Sequence, residues 1–144
     1  MKSKAPLALM EQMIMVLVFA LAAALCLRVF VWSDDRSRAG EAQDRAVLLA
    51  QNAAEVCKAD GGDWDLLERK LGGEALGTCW TALYGASLES VAAAEDAVYE
   101  VVVRPEAAEV PGLGRATVSV FELDGGALLF QLPVAWQEEV APRG

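Results

Sequence analysis

MIMVLVFALAAALCL, residues 13–27, contains no charged and no hydrogen-bonding side chain apart from the thiol of Cys26. The apolar character extends through residues 7–10 before it and 29–32 after it, broken only by Glu11, Gln12 and Arg28. The result is a largely apolar segment of roughly 26 residues, against about 20 that a helix needs to cross a ~30 Å hydrocarbon layer. Residues 7–32 are therefore predicted to form one membrane-spanning helix. Arg28 lies near its end, where its aliphatic stem lets the charge reach the interface. Trp32 suits the headgroup level. A buried core helix is a poorer reading, because the remaining chain is too small to wrap it. A cleaved signal peptide is also poorer. Glu11 would interrupt its apolar region, and a cut after Ala24 would expose the apolar residues 25–32. Cys26 follows Leu25 rather than a small residue, so it is a poor lipoprotein site.

The whole chain has 144 residues, a net charge of −9, 23% charged and 55% hydrophobic residues. It is too apolar for a disordered protein. It is too acidic for a general nucleic-acid binder, which needs Lys and Arg to displace counterions, and no nucleic-acid partner is expected. The absence of histidine excludes a Ser-His-Asp triad, a Cys-His dyad and most catalytic zinc sites. No catalytic residue, cofactor or metal is expected, and the protein is not read as an enzyme. Asp60, Asp63 and Asp65 approach a calcium-like spacing, but no glutamate follows at the required offset. Capping of a helix by Asp63 accounts for them better. The pairs Glu95-Asp96 and Glu138-Glu139 read as solvated surface charge. The glycines at 72–73 and 112–114 lack the order of a phosphate loop.

A carboxylate within an apolar segment costs roughly 2.5–3.5 kcal/mol at a helix centre and less near an end, and usually has a purpose. Glu11 either marks the headgroup level or has a partner. The stretch Leu7-Ala8-Leu9-Met10-Glu11, followed by a continuous apolar helix, resembles the N-terminus of type IV pilins and type II secretion pseudopilins. Those proteins have a short basic leader, a processing site, an apolar first residue and a glutamate at the fifth mature position. With Leu7 as the first mature residue, Glu11 takes that position. In the family this glutamate neutralises the terminal amine of a neighbouring subunit. The resemblance implies Leu7 and Glu11 as assembly residues. It also implies an α+β fold, in which a long N-terminal helix is half in the membrane and half packed on an antiparallel sheet. Pro6 departs from the family, whose peptidase takes Gly or Ala before the cut.

The predicted organisation is a basic leader or cytoplasmic tail at 1–6, the transmembrane helix at 7–32 and a helical stalk at 33–60. An extracytoplasmic α+β domain at 61–138 and a polar tail at 139–144 complete it. In the stalk, Ala42, Ala46, Leu49, Ala53 and Val56 recur at steps of four and three on one face, which is expected to lie on the protein's own sheet. The helix either restarts near Ser33 or Asp34 or runs through to Lys58, where Gly61-Gly62 stops it. Asp63 is predicted to cap a helix at 64–71 with Trp64, Leu67 and Leu71 inward. Strands are predicted at 78–84, 97–104, 115–123 and 127–137, in a sheet of three or four. Asp124-Gly125 marks a hairpin. In the last strand Leu128, Phe130, Leu132, Val134 and Trp136 share one face, and Pro133 points to a sheet edge. Cys57 and Cys79 are candidates for a disulfide worth about 3 kcal/mol in a loop of about 20 residues, or are two thiols packed as small hydrophobes.

These features predict a single-pass protein of the cell membrane, its N-terminus cytoplasmic and its folded domain outside. The favoured function is structural, as a pilin-like component that contacts membrane lipid and other pilin-like subunits or envelope proteins. The alternative is a membrane-anchored binding module that enters no filament.

Overall fold

The computed structural model describes residues 5–138. The predicted leader falls largely outside that range, and the polar tail wholly so. The fold is α+β. Helix α1 (Ala5–Ala59) is followed by α2 (Trp64–Leu71), and then by strands β1 (Glu74–Leu76), β2 (Cys79–Tyr84), β3 (Ser90–Val91), β4 (Tyr99–Glu106), β5 (Leu113–Glu122) and β6 (Leu128–Gln137). The chain divides into two compact units, Met1–Gly40 and Glu41–Gly144.

In the first unit the helix runs without a break through Ser33 and Asp34, so no new cap forms there. Pro6 sits in its first turn, where its missing N–H has no helical partner to lose. Every residue from 7 to 40 is exposed.

The second unit is built around one alanine-rich helix face. Ala46, Leu49, Ala50, Ala53, Ala54 and Cys57 of α1 are buried in a single cluster with Trp80, Ala82 and Tyr84 of β2, Tyr99, Val101 and Val103 of β4, and Ala116, Val118 and Val120 of β5. The predicted stripe is therefore rotated. Ala50, Ala54 and Cys57 join it, while Ala42 and Val56 are only half-buried. Helix α1 ends with Gly62 N–H donating to the Cys57 carbonyl at 2.9 Å and with Gly61 at φ +63. This is the left-handed glycine stop that the Gly-Gly pair predicts. Helix α2 occupies the predicted range. The Asp63 side chain accepts from Asp65 N–H, and Leu67 is fully buried.

The sheet is antiparallel throughout, in the order β1-β2-β4-β5-β6, with β3 also on β2. It has six strands rather than three or four. The added strands, β1 and β3, have only three and two residues, too short for alternation to fix, although β3 falls in the loop at 85–96 where the sequence allows a short strand or turn. Pro133 is on the edge strand β6, as predicted. Strand β4 begins later than expected and includes Pro105, which lies past Val103, the last residue paired with β2. The β5–β6 hairpin closes with Glu122 N–H donating to the Ala127 carbonyl, a wider connection than a two-residue turn. A bulge opposite Val120 and Phe121 places Leu128 across from Phe121, so Leu128 leaves the inner series and is 52% exposed.

Trp136 closes one end of the sheet. A β-carbon on either Gly62 or Gly114 would overlap its indole ring. Gly114→Ala therefore overpacks this contact and is expected to cost about 1–3 kcal/mol. Thermal unfolding of the detergent-solubilised chain checks this. The cost should shrink in a Trp136→Leu background, and an equal cost in both backgrounds would contradict the contact.

Candidate functional site

The membrane-type features lie in the first unit. The chain has one helix among the described residues that is long and apolar enough to cross a membrane, and none of its apolar window is buried. Leu7 is 73% exposed and Glu11 is also exposed. A separation of four residues places them on the same helix face, one turn apart. Glu11 makes no ion pair among the described residues.

At the other end of the apolar run, the Arg36 guanidinium lies 6.0 Å from the centre of the Trp32 ring. Arg38 pairs with Asp34 at 3.0 Å, both exposed. Such an exposed pair contributes little to stability.

The second unit fastens α2 to its surroundings with polar contacts that the sequence pattern did not disclose. Lys70 Nζ lies 2.6 Å from Asp60 Oδ1, joining α2 to the end of α1. Trp80 Nε1 donates to the Gly72 carbonyl at 3.1 Å, and the Tyr84 hydroxyl donates to the Leu71 carbonyl at 3.4 Å. Burial raises the Tyr84 phenol above its ordinary value, which keeps it a donor. Arg45 Nη1 donates to the Ala86 carbonyl at 3.1 Å and holds the loop after β2. The aromatic content of β2 was the available signal for two of these contacts, but their acceptors are main-chain carbonyls that leave no mark in a sequence.

Two surface regions of this unit carry polar side chains beside apolar ones. One is the outer sheet face, where Thr81 donates to Glu100 at 3.1 Å and Thr117 donates to Glu106. The other is a cleft of about 480 Å³ at the Trp136 end, bordered by Trp64, Pro105, Glu106, Pro111, Arg115 and Trp136. Arg115 faces Glu106 across 3.9 Å. The Trp136 Nε1 is buried without an acceptor among the described residues.

Among the described residues no cluster of three acidic, cysteine or histidine side chains is arranged to hold a metal. Asp63 is a cap and Asp60 is engaged by Lys70, which separates the roles of the aspartates near the glycine turn. Glu95, Asp96 and Glu138 are exposed, and Glu139 lies outside the described residues.

Of the two readings of Cys57 and Cys79, the structure has the packed thiols rather than the disulfide. Cys57 and Cys79 are both free thiols. Cys57 belongs to the core cluster together with Trp80. Cys79 is the residue before Trp80, so alternation along β2 sends its side chain to the opposite sheet face. Cys26 is an exposed thiol on the apolar helix.

Comparison with known protein families, curated proteins and solved structures finds no match to this chain.

Burial, with the nearby Asp60 charge second, pushes the Cys57 thiol from 9.0 up to about 11. The neutral thiol is the form the core accepts. Its contribution to stability is complete below pH 9.0 and is lost as pH rises through about 11. Alkylation followed by peptide mass analysis at pH 8 should modify Cys79 at least about tenfold faster than Cys57. Equal rates would contradict the buried placement.

Proposed function

We propose that this chain is a single-pass structural protein of the cell membrane, a pilin-like component of a type IV pilus or type II secretion-like apparatus. Its N-terminus is cytoplasmic and its α+β domain extracytoplasmic. The observation that carries this reading is the use made of α1. Its apolar part presents only exposed side chains, suited to lipid, whereas its later part supplies the alanine face of a small antiparallel core. Such a helix serves as both an anchor and a structural spine. Leu7 and Glu11, one turn apart on the exposed segment, are the assembly residues in this reading. A carboxylate there gains most from a cationic partner on a neighbouring subunit, since lipid offers it none. The role is structural rather than catalytic, and the partners are membrane lipid and other pilin-like subunits or envelope proteins.

A membrane-anchored binding module is the second reading. It is favoured by Pro6 at the position where the pilin peptidase takes Gly or Ala, and by the open cleft beside Trp136. That module would keep its leader and recognise an envelope ligand without entering a filament.

The intact mass of protein extracted from its native membrane distinguishes the two. The pilin-like reading expects a chain beginning at Leu7, and retention of Lys2 to Pro6 would favour the permanent anchor. Glu11→Gln supplies an independent check. Incorporation into higher assemblies, read by crosslinking in the membrane, should fall by about tenfold or more while the folded domain keeps its melting temperature. Unchanged crosslinking would count against an assembly role for Glu11.

A further inference from the structure

We propose that Arg28, Trp32 and Arg36 form a cradle on α1 for the phosphate of an anionic phospholipid headgroup. This inference rests on the membrane-anchor reading above and adds the class of lipid that the anchor selects.

Steps of four residues place the three side chains on one face, within an arc of about 80° and about 12 Å of axial length. All three are exposed. The Arg36 guanidinium already lies over the Trp32 ring at 6.0 Å from its centre, within the range of a cation–π contact. The arginines of this segment are not equivalent. Arg38 is engaged by Asp34 at 3.0 Å, whereas neither Arg28 nor Arg36 has an ion-pair partner among the described residues. Residues 28–38 hold three arginines against two aspartates, in a chain whose net charge is −9. Asp35 shares this face, within about 20° of Arg28 and one turn past Trp32, so the face carries two guanidinium groups and one carboxylate.

The physical logic concerns depth. An indole settles at the headgroup level. Arg28 starts about 6 Å deeper along the axis and reaches outward along its stem, and Arg36 starts about 6 Å nearer to water. Two guanidinium groups therefore bracket the phosphate plane from below and above. Guanidinium forks pair with phosphate oxygens in bidentate geometry, and they are weakly hydrated. A zwitterionic headgroup brings its own cation to compete for the phosphate, and an anionic one does not. An enrichment of anionic lipid of about fivefold at this face is expected from one basic side chain near a charged surface.

The test uses the full chain in phosphatidylcholine vesicles containing a small, equal fraction of brominated lipid. The brominated lipid is phosphatidylglycerol in one sample and phosphatidylcholine in the other, and Trp32→Phe supplies the baseline from the other three tryptophans. Brominated phosphatidylglycerol should quench Trp32 more strongly, consistent with about fivefold local enrichment. R28Q/R36Q should bring the two lipids to equality while quenching by brominated phosphatidylcholine persists. Inorganic phosphate at matched ionic strength should change nothing. Equal quenching of the unaltered protein by both lipids would overturn the headgroup selection and leave the anchor intact. Relief of quenching by inorganic phosphate would assign the cradle to free phosphate and overturn the lipid proposal. No quenching by either lipid would remove the membrane anchor itself, and the cradle with it.

Discussion

Close approach of a helix to a sheet is the constraint on which the folded unit depends. Ala46, Ala50, Ala53 and Ala54 bring almost no side-chain volume to the interface, so the larger groups come from the other side. Trp80 and the valines at 101, 103, 118 and 120 fill the space, and Leu67 of α2 closes the cluster. Small residues against large ones can reach the density of a protein interior without voids. A core of this size has little redundancy. Enlarging any of these alanines would crowd the cluster that contains Trp80 and Tyr84, the β2 side chains that also hold α2.

Polar contacts then settle what the apolar core leaves free. Helix α2 buries only Leu67 fully, and a single short helix gains little from that alone. Its position is determined by three groups on two other segments, the end of α1 and β2. Asp60 meets Lys70, Trp80 meets the Gly72 carbonyl and Tyr84 meets the Leu71 carbonyl. The last two satisfy main-chain acceptors at a helix C-terminus that would otherwise be orphaned. The aromatic side chains of β2 thus perform two tasks, filling the core and capping a neighbour.

The apolar segment and the folded unit obey different solvent rules. In the folded unit, large hydrophobic side chains are buried or half-buried around one cluster, with the inward alternation of β4 and β5, and Leu48, Leu76, Val110, Leu123 and Leu128 are the exposed exceptions among the described residues. In the apolar segment the same residue types are all exposed. Water does not tolerate such a surface on that scale, and a lipid environment does. The functional reading grows from that contrast. Glu11 and the Arg28–Trp32–Arg36 face are then the positions where polar chemistry meets the apolar run, one near each of its ends.

Sequence pattern alone determined the apolar helix, the glycine stop at 61–62, the Asp63-capped helix and the four long strands, together with the edge position of Pro133. Each follows from local periodicity or from one residue's backbone chemistry, and neither needs knowledge of a distant neighbour. Leu7 and Glu11 were singled out by a family resemblance rather than by periodicity, and the structure adds only that both are exposed on one helix. Tertiary structure alone decided the rest. The two short strands exist only because β2 offers them an edge. The bulge that turns Leu128 outward depends on the register of β5 against β6. The rotation of the alanine stripe towards Cys57 depends on where the sheet lies. The separation of Cys57 from Cys79 depends on which face of β2 the helix covers, and the fit of Trp136 against Gly62 and Gly114 depends on where distant backbone comes to rest. These are relations between segments far apart in the chain, and a one-dimensional pattern carries the faces of each element but not which faces meet.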